Sequence, residues 1–275
     1  MADFTLQEIA AGVMSALGGV CNRGIIAQNG AVLVVDSGIN AAEAAPLREA
    51  AQTYHKEGSF YLFNTHPHGD HVYGNQVFTD IPIIAHEGVR ANMVSSGEQV
   101  LANWKQNPQM GALVNDVRIT PPTVTFQNEL TVFIGDIEVQ LLYFGVAHSP
   151  SDSVAWLPQS RVLFAGDLLF NAIVPAMPPG GSSAHWVSAL ERLEQLGAEH
   201  ALPGHGPIQT PTALSDLRQW IITLRTQVGE ALASGWDREK TLEKVAASMR
   251  QSAPRGRDER LPNNIGQVFD EMSRQ

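Results

Sequence analysis

"NTHPHGDHVYGN" occupies positions 64–75 and places His66, His68, Asp70 and His71 within six residues. Pro67 and Gly69 punctuate the stretch, so it reads as a non-helical loop. "FYLFN" (60–64) runs directly into it and has the short, wholly apolar look of a buried strand. The imidazoles therefore begin where a strand ends, which is where α/β proteins assemble their chemistry. In an extended His-x-His, alternation throws His66 and His68 to the same side. Asp70 and His71 follow the turn at Gly69 and are free to face elsewhere.

Working outward, "GIIAQ" (24–28) and "AVLVVDSG" (31–38) flank Asn29-Gly30, a strong hairpin signal. "AAEAAPLREAAQTYHKE" (41–57) has helical composition, with Pro46 marking its expected start. "IPIIAH" (81–86) reads as a strand, followed by a helix through Trp104, and residues 105–122 read as a long loop or partial helix. "TVTF", "LTVFI", "IEVQLLYF", "SVAWLP" and "RVLFAGD" then give strands from 123 to 167. A helix is expected over 185–196, a short strand at "HALPG" (200–204), and mostly helix beyond 211 with a polar, Pro-bearing break at 252–263. No Gly/Ser linker divides the chain. The order predicts one domain of two β-sheets covered by helices, with a helical C-terminal extension.

Three further groups share the habit of following strand-like runs beside Gly or Pro: His148 in "FGVAHSP", Asp167 in "FAGD" and His205 in "PGHG". Small neighbours let loops crowd until side chains converge. Imidazole mixed with carboxylate suits zinc, iron or manganese rather than calcium or magnesium. Seven such ligands exceed one tetrahedral ion but serve two, with positions left for water. The other histidines (His55, His86, His185 and His200) read as structural or solvated. Trp104, Trp156 and Trp186 read as core, and Met93, Met110 and Met177 as gap-fillers.

Composition narrows the partners. A formal net charge of -10 opposes nucleic acid and anionic membrane. The basic residues Arg255, Arg257 and Arg260 are interrupted by Asp258 and Glu259. Cys21 is the single cysteine, so no internal disulfide forms, and it reads as a small buried apolar residue. No basic leader and no apolar run of ~20 residues is seen. The expectation is a cytoplasmic protein acting on a small molecule, without a nucleic-acid or membrane partner; the helical tail leaves homodimerisation open.

The ordered set "THPHGDH", "AHSPSD", "AGD" and "PGHG" resembles the motifs of the metallo-β-lactamase superfamily over roughly residues 4 to 210. The resemblance implies an α/β fold, the αβ/βα four-layer sandwich, as a catalytic domain over 1–210 with the helical extension of 211–275 packed on it. It further implies one metal on His66, His68 and His148, and a second on Asp70, His71 and His205. Asp167 would bridge the two, and Asp36 would support the ligands from beneath. Two divalent ions, Zn2+ above Mn2+ or Fe2+, would bring water towards its ionised form at neutral pH, with Asp70 orienting it or taking its proton. The expected reaction is hydrolysis of an ester, thioester, lactone or amide, including a β-lactam. The alternatives are an iron-dependent oxidoreductase similar to the sulfur dioxygenases, or a phosphodiesterase. Departures from known branches matter: Asp167 stands where the best-known β-lactamases carry Cys or Ser, Phe170 where lactonases often carry Tyr, and His68 where flavodiiron proteins carry an acid. The loop "VPAMPPGGSSAHW" (174–186) is expected to wall the site.

Overall fold

The computed structural model describes residues 4–208, 212–252 and 255–274. The division expected between residues 210 and 211 lies outside these, as do residues 253–254 of the polar break. Among the described residues, the first sheet has seven strands in sequential order: β1 (Phe4–Ala10), β2 (Val13–Gly18), β3 (Arg23–Gln28), β4 (Ala31–Val35), β5 (Phe60–Asn64), β6 (Ile83–His86) and β7 (Val124–Phe126). Its first four strands pair antiparallel and the rest parallel. The β3–β4 hairpin turns on Asn29 and Gly30, both at positive φ (51° and 81°), as a tight turn matched to strand twist requires.

The second sheet contains β8 (Glu129–Ile134), β9 (Ile137–Gly145), β10 (Asp152–Leu157), β11 (Val162–Phe164) and β12 (His200–Leu202), in the order β12-β11-β10-β9-β8. Only β11–β12 is parallel. Alternation along β4 sorts the layers. Leu33 and Val35 face the inter-sheet core with Phe63, Leu141 and Phe164, whereas Val32 and Val34 meet Ala44, Leu47 and Ala51 of helix α1 (Ala41–Tyr54). Beyond the second sheet, α5 (Ser183–Gln195), α6 (Thr212–Ala233), α7 (Arg238–Ser252) and α8 (Leu261–Met272) share one core with Val154, Trp156 and Leu163. The result is a four-layer αβ/βα sandwich.

Four local expectations change. Helix α1 begins at Ala41 rather than at Pro46, because the Asn40 side chain accepts from the Glu43 N–H and caps it; Pro46 lies within the second turn and removes one donor. The stretch after His68 is not wholly irregular, since Gly69–Val72 forms a single helical turn, α2. The N-terminal segment, which carried no strand signal, supplies β1 and β2; β1 is mostly exposed and β2 turns alternate residues onto layers formed elsewhere. Helix α3 (Glu87–Gln106) runs two residues beyond Trp104, and the following loop holds only the short α4 (Gly111–Val114). Among the described residues no helix is long and apolar enough to cross a membrane.

The two sheets approach closely at Gly24, where a Cβ would lie 2.1 Å from the Phe164 ring. Phe164 is buried between the sheets and has nowhere to swing. Gly24→Ala is expected to destabilise the fold by about 2 kcal/mol through overpacking. Urea unfolding of parent and variant checks this, and equal midpoints would show that the sheets part without cost.

Candidate metal centre

Each predicted residue sits at a strand's carboxyl end or the turn beyond it. His66 follows β5; His68 precedes α2, which carries Asp70 and His71. His148 follows β9, Asp167 lies in the 3₁₀ turn Gly166–Leu168 after β11, and His205 follows β12. The structure brings all seven together. Donor atoms of His66, His68, His148 and Asp167 lie within 4.8 Å of one another, as do those of Asp70, His71 and His205. The two carboxylate oxygens of Asp167 face different groups. Oδ2 is 3.2 Å from His148 Nε2 and 3.8 Å from His66 Nε2, while Oδ1 is 3.1 Å from His71 Nε2 and 3.3 Å from His205 Nε2. Asp70 Oδ2 is 3.2 Å from His205 Nε2.

A buried polar atom normally has a hydrogen-bond partner. Here His66 Nε2, His71 Nε2 and Asp167 Oδ1 are buried without one, although they converge on the same space. Their approach is close but misaligned for hydrogen bonding. Lone pairs of nitrogen and oxygen pointed at a common volume fit divalent cations, and the His/Asp donor set suits zinc, iron or manganese.

The ring orientations trace to Asp36. Its backbone is left-handed (φ 59°) and its carboxylate is buried at the end of β4. Oδ1 accepts the Thr65 N–H, and Oδ2 accepts both the Thr65 hydroxyl and His71 Nδ1–H, each at 2.8 Å. The Thr65 hydroxyl, committed as donor to Asp36, accepts His66 Nδ1–H at 3.0 Å. One carboxylate thus fixes two tautomers and turns two Nε2 atoms inward, the supporting role expected of it. His148 is set separately, its Nδ1–H donating to the Ala176 carbonyl at 3.1 Å.

Charge in the metal-free cluster is shared unevenly. Burial, then the positive His71, holds His66 well below the ordinary imidazole range; burial and His148 hold His68 at about 3. Burial opposes charge on Asp70, yet His71 and His205 outweigh it and keep its carboxyl at about 2. His205 is raised to about 9, since Asp167 and Asp70 overcome its desolvation.

The cluster floors a cleft of about 730 Å3. Ala176, Pro178 and Pro179 of the expected loop form part of its wall, and Met93, Trp104 and Met110 another part. Trp104 also packs edge-on against Tyr73 at 5.5 Å. Trp156 and Trp186 are core, and Met177 lines a second cavity of about 260 Å3 that shares His148, Pro178 and Pro179 with the cleft. Phe170 is fully buried and stacked on His205. Cys21 is buried, with its thiol donating to the Asp70 carbonyl. His86 stacks on Tyr143 and bonds Ser151, a structural role. Sequence reasoning passed over Tyr73, whose hydroxyl is buried without a partner, and Arg257 and Arg260, which also line the cleft. Tyr73 is two residues beyond His71, so proximity signalled it; no spacing signals the arginines.

A family model described as the metallo-beta-lactamase superfamily matches residues 16–205. The chain belongs to that superfamily. Among solved members, the metallo-beta-lactamase from Pontibacter korlensis superposes with a TM-score of 0.64 at 20% identity, covering 80% of this chain and 99% of that one. A stereoselective inverting sec-alkylsulfatase from Pseudomonas sp. reaches 0.71 at 17% identity, covering 97% of this chain and 50% of its own. At such identities the likeness is one of fold. A curated relative, the 2,4-dinitroanisole O-demethylase subunit alpha of Nocardioides sp. (strain JS1661), is 24% identical over 205 residues. These are 74% of this superfamily member, which spans 58% of that relative's length.

Two outcomes follow from this arrangement. Asp36→Asn is expected to weaken metal binding about 10- to 100-fold with the circular dichroism unchanged; competition against a chromophoric chelator measures it, and parental affinity would refute the orienting role. In chelator-treated protein, His205 is raised from 6.5 to about 9 on folding. Its stabilisation is complete below pH 6.5 and lost as pH rises through 9. The melting temperature should fall across that interval and fall less in His205→Asn; identical profiles would exclude the linkage.

Proposed function

We propose that this chain is a dinuclear metal-dependent hydrolase of a small organic molecule. The observation that carries the reading is the division of seven inward-facing donors into two adjoining groups, with one oxygen of Asp167 turned to each. His66, His68 and His148 would hold one ion, Asp70, His71 and His205 the other, and Asp167 would bridge them. Zinc is the expected metal, with manganese or iron compatible with the same donors. Bound metals would supply Lewis acidity, polarising the substrate oxygen and lowering the pKa of water.

The protein's own groups supply the rest. Asp70 keeps a partly open carboxylate at the cleft, so it can orient an attacking water and receive a proton. Phe170 and Trp186 pack against the ligand rings, Phe170 5.5 Å from His148 and 5.1 Å from His205 and Trp186 5.2 Å from His148, and so help hold those rings in place. The volume of the cleft suits a substrate of drug-like size rather than a polymer.

Asp167→Ala and His68→Ala are expected to lose both metal and turnover. The assay is a hydrolysis screen on zinc- and manganese-loaded protein, with nitrocefin, aryl esters, acyl-thioesters, homoserine lactones and phosphodiesters. Because one relative's name concerns an O-methyl group and one neighbour's an alkyl sulfate, an aryl methyl ether and a secondary alkyl sulfate belong in it. Full activity in either variant, or iron with dioxygen consumption in place of hydrolysis, would overturn the reading.

A further inference from the structure

Arg260 stands in an unusual position for a cation. It immediately precedes α8, is about half-buried, and lines the same cleft as His68, Asp70 and His205. Nη1 donates to the Val174 carbonyl at 3.0 Å, and the guanidinium lies 5.8 Å from the centre of the Phe170 ring. No other hydrogen bond is formed by its guanidinium among the described residues, and no carboxylate there comes within ion-pair distance. Of the other partly buried arginines of the extension, Arg225 pairs with Glu271 and Arg218 with Glu194, whereas Arg255 bonds only the carbonyls of Phe170 and Ile173 and does not line the cleft. Desolvating a guanidinium without a counter-charge is costly, and the cost is recovered when an anion arrives.

Arg257 stands beside it on the cleft, in a left-handed conformation (φ 66°) that non-glycine residues seldom adopt. Its nearest carboxylate, Glu259, is a loose 3.8 Å away. The remaining wall is of opposite character. Val20, Met93, Trp104, Met110 and Ile119 belong to one apolar cluster and line the cleft together with Val100. A cleft with donors for an oxyanion, a metal-type centre at its floor and a greasy flank matches an amphiphile.

We propose that Arg260, aided by Arg257, recognises an anionic oxygen-bearing group of the substrate, such as a carboxylate or sulfonyl oxyanion, while an alkyl or aryl portion lies on the apolar wall. This deepens the hydrolase reading, on which it rests for the role of the cleft. The arginine fork binds two oxygens of such a group in parallel, which fixes the substrate's direction as well as its affinity. Arg260 is then a specificity-determining residue supplied by the C-terminal extension, which the superfamily model does not cover.

The test uses probes with no hydrolysable bond, so it stands apart from whether any substrate in the screen is turned over. Octanesulfonate, octanoate and 1-octanol are titrated calorimetrically into the full-length, metal-loaded protein. At least one anion is expected to bind roughly tenfold tighter than the alcohol. Arg260→Gln, which keeps a donor for Val174, should lose most of that margin, and Arg257→Gln a factor of about two to three because its charge is better solvated. The affinity for 1-octanol should be unchanged in both. Equal binding of all three probes overturns the proposal, and so does an anion margin retained in Arg260→Gln, because that margin then belongs to the metals. Should Arg260→Gln fail to melt cooperatively, Arg260→Lys replaces it. A point charge is expected to restore salt-sensitive binding but to lose part of the margin, and undiminished octanesulfonate affinity in it would refute the fork.

Discussion

The centre depends on one buried carboxylate. Asp36 ends β4 in a left-handed conformation and accepts three hydrogen bonds, from Thr65 N–H, the Thr65 hydroxyl and His71 Nδ1–H. Through the threonine it reaches His66 as well. His71 Nδ1 faces Asp36 and His66 Nδ1 faces a hydroxyl already donating to it, so both must carry a proton and the opposite nitrogens are left with their lone pairs inward. The ligand geometry is therefore decided by groups that would never touch a metal. It also explains why such strain persists at the end of a buried strand, where surrounding structure over-determines the backbone.

Close approach of loops is the second constraint. A Cβ on Gly204 would fall 2.0 Å from Asp167 Oδ1, and one on Gly166 would fall 2.6 Å from Thr65 Oγ1. Gly166 also needs its positive φ (51°) to direct Asp167 between the two histidine groups. These glycines let loops from both sheets occupy one small volume, and bring donors separated by up to 139 positions into contact. The inter-sheet core behind them holds the strand ends in register, so the turns carry chemistry while the sheets carry stability.

The C-terminal helices have a part in the site that their composition does not advertise. Arg260, Asn263 and Asn264 donate to the carbonyls of Val174, Met177 and Pro175. Glu271 accepts from the Ser182 hydroxyl and the Ser183 N–H at the start of α5. The loop that bears Ala176, the acceptor for His148, is thereby tied down at both ends. Proline stiffens that loop, but these hydrogen bonds determine where it lies.

The sequence by itself determined the strand-to-turn junctions and the residue types at them: an apolar run followed by Gly, Pro, His and Asp can be read locally, because burial and turn chemistry act over a few residues. It likewise carried the Asn-Gly hairpin and the layered α/β architecture. It did not carry β1, which is largely solvated, or β2, whose two faces are sorted onto different layers by neighbours already in place. Nor did it reveal that Asn40 outranks Pro46 as the helix start, or that Arg260 shares a cleft with His68 across 192 positions of chain. Only the tertiary structure decided those, since a half-buried charge acquires its meaning from what surrounds it in space, and sequence spacing contains no record of that surrounding.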